Sequence, residues 1–186
     1  MANGVARYRQ KVAAMAFAVL AALLAAGPGG LAEAREPWSK APNAASSGDF
    51  AILQIATTDP EGLITEWSRA TPGVSLKTST RARRNQRIET FIVFKGCRAD
   101  TAGNCNVTVD YAVFDPAGKS YAQLKGDVWV GYPPAPDLQL QLSTSSLGLM
   151  IENQDPLGPY RVRAKVVDHV AGVTLDTEQT LAAVAN

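Results

Sequence analysis

Four arginines crowd into seven positions, Arg81, Arg83, Arg84 and Arg87, and the first acid after them is Glu89. Guanidinium forks match carboxylate and phosphate oxygens, so the cluster predicts a basic connection that meets an anionic glycan or an acidic protein patch. A charge run of this length also solvates a strand connection with no partner at all. The second chemically pointed stretch is Trp129-Val130-Gly131-Tyr132-Pro133-Pro134-Ala135-Pro136. Its prolines favour extended backbone, which would hold Trp129 and Tyr132 out toward a sugar or a peptide. Alternatively Trp129 fills the core while the prolines guard a sheet edge.

Catalytic and metal chemistry find little to use. His169 is the only histidine, and zinc or copper centres need two or three His or Cys ligands together. Asp168 beside it cannot complete a Ser-His-Asp relay, because neighbouring strand residues point to opposite faces. No G-x-S-x-G turn supplies a nucleophile. Asp100, Asp110, Asp115 and Asp155 fall outside any D-x-[DN]-x-[DN]-G calcium loop, and Asp115 and Asp155 precede prolines in turns they can cap themselves. A glycosidase pair is defined by a distance across a cleft, which no spacing reveals. The sequence therefore predicts no catalytic residue, metal or cofactor. An enzyme whose carboxylates or serines converge only in the fold stays open as an alternative.

The elements that would position these residues begin with an export signal. Arg7, Arg9 and Lys11 precede an uncharged run from Val12 to Ala26, Gly27-Pro28-Gly29-Gly30 breaks it, and Ala32-Glu33-Ala34 offers small residues before a cut at Arg35. That run falls short of the roughly 20 apolar residues a membrane span requires. Residues 1–34 thus read as a signal peptide, and the product as periplasmic or secreted, with no membrane span after cleavage. Loss of this segment leaves 15 basic against 16 acidic residues, which argues against nucleic acid as a partner. In an oxidising compartment the two cysteines, Cys97 and Cys105, are expected to pair. Their spacing is not that of a C-x-x-C redox site. The closed segment from Arg98 to Asn104 would suit a protease inhibitor's presented loop, a further alternative.

Residues 35–49 are rich in Ala, Pro, Ser and Asn and read as a flexible linker, with the folded domain over 50–186. Phe50 to Thr57 predicts a strand, and Thr58-Asp59-Pro60-Glu61 a capped helix to about Ser68 with Leu63, Ile64 and Trp67 on one face. Strands are predicted over Val74–Thr78, Ile88–Phe94 and Val107–Val113, and over Tyr121–Val130 as one irregular strand or two. The Leu138–Leu142 and Leu147–Ile151 alternations add further strands. A hairpin joins Tyr160–Val166 to Val173–Thr177 around Asp168–Gly172. Short strands without a crossover helix predict an all-β antiparallel sandwich with one short N-terminal helix.

Asp155-Pro156-Leu157-Gly158-Pro159-Tyr160-Arg161-Val162 resembles the turn and penultimate strand of immunoglobulin-like sandwiches of the fibronectin and macroglobulin types. The resemblance implies a tyrosine corner at Tyr160, its hydroxyl bonded to upstream backbone. Val162 stands where antibody domains carry a core cysteine, so the core disulfide of those domains is not expected. The chain also resembles exported, uncharacterised bacterial β-sandwich proteins, which imply no activity. The function expected is a non-catalytic module binding an envelope or extracellular component through its loops and edge strands.

Overall fold

In a computed structural model, described over residues 41–69, 76–136 and 139–186, two antiparallel sheets face each other. The first sheet holds β1 (Ala44–Ser47), β2 (Phe50–Thr57), β4 (Arg87–Lys95), β7 (Gln141–Leu142) and β8 (Leu147–Met150). The second runs in the order β3 (Arg81–Arg83), β10 (Val173–Val184), β9 (Gly158–Asp168), β5 (Asn106–Phe114), β6 (Ser120–Val130). Every pairing is antiparallel except that β3 lies parallel to the final strand β10.

Alternation of apolar and polar residues dictates which side faces in. Val107, Val109, Tyr111 and Val113 of β5 are buried, as are Tyr160, Val162, Ala164 and Val166 of β9, against Ile52, Ala56, Ile88, Ile92 and Phe94 of the first sheet. The near-continuous apolar run of β4 has a second cause. Its other face, with Phe91 and Val93, joins Ile55 of β2 beneath Leu63 of helix α1 (Pro60–Ser68). A strand covered on both faces needs apolar residues at successive positions. Gln54 is the polar exception in the middle of the sandwich. Its amide donates to the Val162 carbonyl at 3.2 Å and accepts from the Thr177 hydroxyl at 2.9 Å, so two strands of the facing sheet satisfy it.

Tyr160 is fully buried and its hydroxyl donates to the Pro156 carbonyl at 2.9 Å, while Tyr121 meets its ring edge-on at 5.2 Å. This corner, with the order of the second sheet and the parallel edge strand, makes the molecule an immunoglobulin-like β-sandwich with one short helix.

Several local expectations shift. The helix cap is Asp59, whose carboxylate accepts from the Gly62 N–H at 3.0 Å, rather than Thr58. Ile64 is exposed and Trp67 only half-buried, so Leu63 alone anchors the helix deeply. Residues 76–79 form no strand; they run beside β2, with the Thr57 hydroxyl bonded to the Lys77 carbonyl and Ser79 N–H to the Ala56 carbonyl. Val74 and Ser75 lie outside the described residues, as do Leu138 and the proposed export signal. Tyr121–Val130 lies within one strand, β6, with a register shift where Val107 and Thr108 face it. Strand β1 also falls inside the expected linker. Asn43 holds the Gln54 backbone through both its side chain and its carbonyl, and the Pro42 carbonyl accepts from Glu178 N–H at 2.8 Å.

Candidate functional site

Four segments converge at the end of the sandwich where β4 leaves and β5 enters: the β1–β2 turn, the loop 96–105, the stretch 131–136 and the β9–β10 turn. Cys97 and Cys105 are disulfide-bonded across this end, their Cα atoms 6.0 Å apart and both side chains buried. The loop between them is exposed from Arg98 to Gly103, yet it is closed on itself. The Asp100 carboxylate accepts from Ala102 N–H at 2.8 Å and Asn104 N–H at 3.0 Å, and Gly103, with φ +86°, returns its N–H to the Asp100 carbonyl. Such a curled loop is pre-ordered, but it is not the extended strand a protease cleft receives. The inhibitor reading draws no support from it.

Asp168 ties that loop to the neighbouring turn. Fully buried, it accepts from Arg98 N–H at 2.8 Å through one oxygen and from Val170 and Ala171 N–H at 3.0 Å through the other. His169, next in sequence, points out to solvent and shares a 2.8 Å hydrogen bond with the Thr108 hydroxyl. The two side chains therefore diverge, as strand geometry requires.

The aromatic stretch completes the same end. Trp129 is half-buried, its ring 5.6 Å from Phe94 on the core side and 5.0 Å from Tyr132 on the outer side, and its indole N–H donates to the Pro133 carbonyl at 2.9 Å. Both alternatives for this stretch thus hold in part: Trp129 packs on the core, while Tyr132 is 51% exposed. The Tyr132 carbonyl accepts from Cys105 N–H at 2.8 Å, which locks the segment to the stapled loop.

The arginine cluster lies at the opposite end. Strand β6, eleven residues long, runs between the two ends and spans about 33 Å, so no small ligand touches both sets. Nor do the four arginines act alike. Arg84 donates to the Glu152 and Asn153 carbonyls, and Arg87 forms an ion pair with the nearly buried Glu89. Arg81 and Arg83 flank buried Ala82 and project outward from β3. At the same end Tyr121 donates to Asp155 at 2.6 Å, and Glu152 N–H donates to that carboxylate at 2.8 Å. The tyrosine's hydrogen bond holds Asp155 below its ordinary pKa, helped by that N–H. Burial first, then the hydrogen bond to Asp155 and its charge, pushes Tyr121 upward, and burial followed by the Asp155 charge raises Tyr160. Tyr111 is raised by burial alone, and its hydroxyl has no partner among the described residues.

Among the described residues no three His, Cys, Asp or Glu side chains group to hold a metal. Of the weighed aspartates, Asp110 pairs with Lys125 at 3.2 Å, and Asp115 accepts from Lys119 N–H at 2.8 Å within its own turn. No described helix is long and apolar enough to cross a membrane. Asp100 and Asp168 are the organising residues that spacing did not single out for this role. A D-x-x-G turn at Asp100 and an Asp opening a hairpin turn at Asp168 were the available signals.

No protein family and no curated protein matches the chain. Among solved structures it is similar to a CARDB domain from Pyrococcus furiosus in complex with di-metal ions, at 15% identity and TM-score 0.37, over 59% of this chain and 89% of that one. It is also similar to superoxide reductase (neelaredoxin) from Ignicoccus hospitalis, at 8% identity and TM-score 0.37, over 59% and 79%. An immunoglobulin-like protein from Pseudomonas aeruginosa aligns at 13% identity and TM-score 0.32, over 60% and 84%. Likenesses at this level transfer no site and no activity to this chain.

Proposed function

We propose that this chain is an exported, non-catalytic recognition module. Residues 1–34 act as its signal, and the stapled end of the sandwich meets another protein of the envelope or exterior. The disulfide supports an oxidising compartment. The observation that carries the reading is the order built into exposed backbone at one end. A staple, the Asp100 turn and the Asp168 tether fix a loop whose side chains face solvent, beside the half-exposed ring of Tyr132. Fixing a loop before contact lowers the entropy lost on binding, and tyrosine is among the residues enriched at the energetic centres of interfaces.

The test is capture from an envelope extract by immobilised chain starting at Arg35, compared with Tyr132→Ala and with residues 98–103 replaced by a Gly-Ser segment. Capture of a discrete protein by the wild type, weakened about ten-fold or more by either change with unfolding temperature preserved, is the expected result. Equal capture by all three removes the stapled end from the function.

A further inference from the structure

The outer face of the second sheet carries a feature that neither the arginine run nor the loop end anticipates. Strand register puts Arg81 and Arg83 of β3 beside Ala182 and Val184 of β10, while Thr180 and Glu178 of β10 lie beside Arg161 and Arg163 of β9. Viewed along β10, guanidinium-bearing residues therefore occupy four successive outward rows, Arg163, Arg161, Arg81 and Arg83. The first pair stands on one bank and the second pair on the other. Six residues of extended strand make this path about 20 Å long, and two strand spacings set its banks about 10 Å apart. Its floor is Thr180, Ala182 and Val184, all small and uncharged. The result is a lane with arginines on one bank over its first half and on the other bank over its second.

The charge in the lane is incompletely neutralised. Glu178 closes one end, 2.7 Å from Arg163 and 3.8 Å from Arg161, and both of those guanidinium groups also lie over the Phe114 ring at 5.2 and 5.5 Å. Arg81 and Arg83 bind through their backbone N–H groups to Ser79 and Gln86, and neither guanidinium has a hydrogen bond or ion pair among the described residues. Beyond Glu178 the pattern changes: the next row crosses four strands as Asp176, Lys165, Asp110 and Lys125, with alternating sign. That row cancels itself. On this face the unbalanced positive charge therefore lies beside β10, chiefly at Arg81 and Arg83.

We propose that this lane binds a linear anionic polysaccharide, one carboxylated or phosphorylated at successive sugars, laid along β10. A path one strand wide matches the width of a single extended chain. Guanidinium forks, two on one bank and then two on the other, suit anionic groups that recur along a linear polymer. The lane is separate from the stapled end, so this inference goes beyond the protein-recognition role and stands or falls independently of it.

Retention of the chain from Arg35 onward on an immobilised linear polyuronate and on a linear phosphorylated glycan tests it. Monomeric uronate and vesicles of phosphatidylglycerol and phosphatidylcholine serve as competitors. Wild type is expected to bind at least one polymer at low salt and to be released as salt rises. R81S/R83S should weaken that binding about ten-fold, as should Thr180→Glu, which sets an acid on the lane floor beside Arg161. Tyr132→Ala should bind the polymer as wild type does. The inference is overturned if neither polymer retains the wild type, if R81S/R83S binds unchanged, or if the vesicles or the monomer compete as well as free polymer.

Discussion

Asp168 and Asp155 show how differently two carboxylates serve the same sandwich. Asp168, buried with three backbone N–H groups on its oxygens, holds a loop and a turn together through charge-assisted bonds. Asp168→Ala should cost about 3 kcal/mol, read as a lower urea midpoint, with faster amide exchange at Arg98, Val170 and Ala171. A cost under about 1 kcal/mol would mean that water replaces the carboxylate freely. Asp155 is a pH sensor in the thermodynamic sense, because its pKa in the fold is depressed by Tyr121 and the Glu152 N–H. Its ionised form stabilises the fold above the ordinary aspartate value of about 3.9, and that contribution disappears as pH falls through the lower native value. Tyr121→Phe removes the largest cause, so Asp155 should titrate nearer its ordinary value, seen as a higher carboxyl pKa by NMR. An unchanged titration would show that the backbone donor alone sets it. The turn donors at Val170, Ala171 and Glu152 lie within three residues of these carboxylates, but the distant partners, Arg98 for Asp168 and Tyr121 for Asp155, are fixed by the fold and were not legible in the sequence.

At the scale of elements, glycine positions separate turns that need a missing side chain from turns that merely prefer it. Gly96, at φ +72°, packs so closely on the β1–β2 turn that a Cβ would be driven into the Asp49 carbonyl; Gly103, at φ +86°, would meet nothing within 4 Å. Gly103→Ala should therefore cost about 1 kcal/mol from backbone conformation alone, and Gly96→Ala several kcal/mol. Thermal unfolding of the two variants side by side checks the order. Equal losses would place the strain in the backbone at both sites. The strands themselves were readable: the alternations in β5, β9 and β10 are set by one buried face, and the apolar run of β4 by two. Less readable were pieces whose structure depends on a neighbour. β1 carries the small polar sequence Ala-Ala-Ser-Ser and is a strand because β2 offers it an edge. Residues 76–79 have strand-like composition but bond to β2 only at isolated points.

For the whole molecule, the register of two sheets decides what the sequence could not. It divides four consecutive-looking arginines into Arg84, which braces the loop at Glu152 and Asn153, Arg87, which pairs with Glu89 of its own strand, and two that join arginines 80 residues away in sequence, Arg161 and Arg163. It also separates the basic and aromatic stretches to opposite ends, where a linear reading set them side by side as partner residues. The same register makes the segment before Phe50 part of the fold. A chain beginning at Phe50 would lose β1, the Asn43 bonds to Gln54 and the Pro42 bond to Glu178. It should be less stable than one beginning at Arg35 by about 2 kcal/mol or more. Matching denaturant midpoints for the two lengths would make β1 dispensable.

The recognition role of the stapled end is tested most directly by photocrosslinking in the intact envelope, with a photoreactive residue placed in turn at Tyr132, at Ala99 and at Met150, which is 44% exposed at the other end. The account predicts one adduct of the same mass from positions 132 and 99, suppressed by excess unlabelled wild-type chain, and none from 150. An adduct from position 150 with silence at 132 and 99 would contradict it.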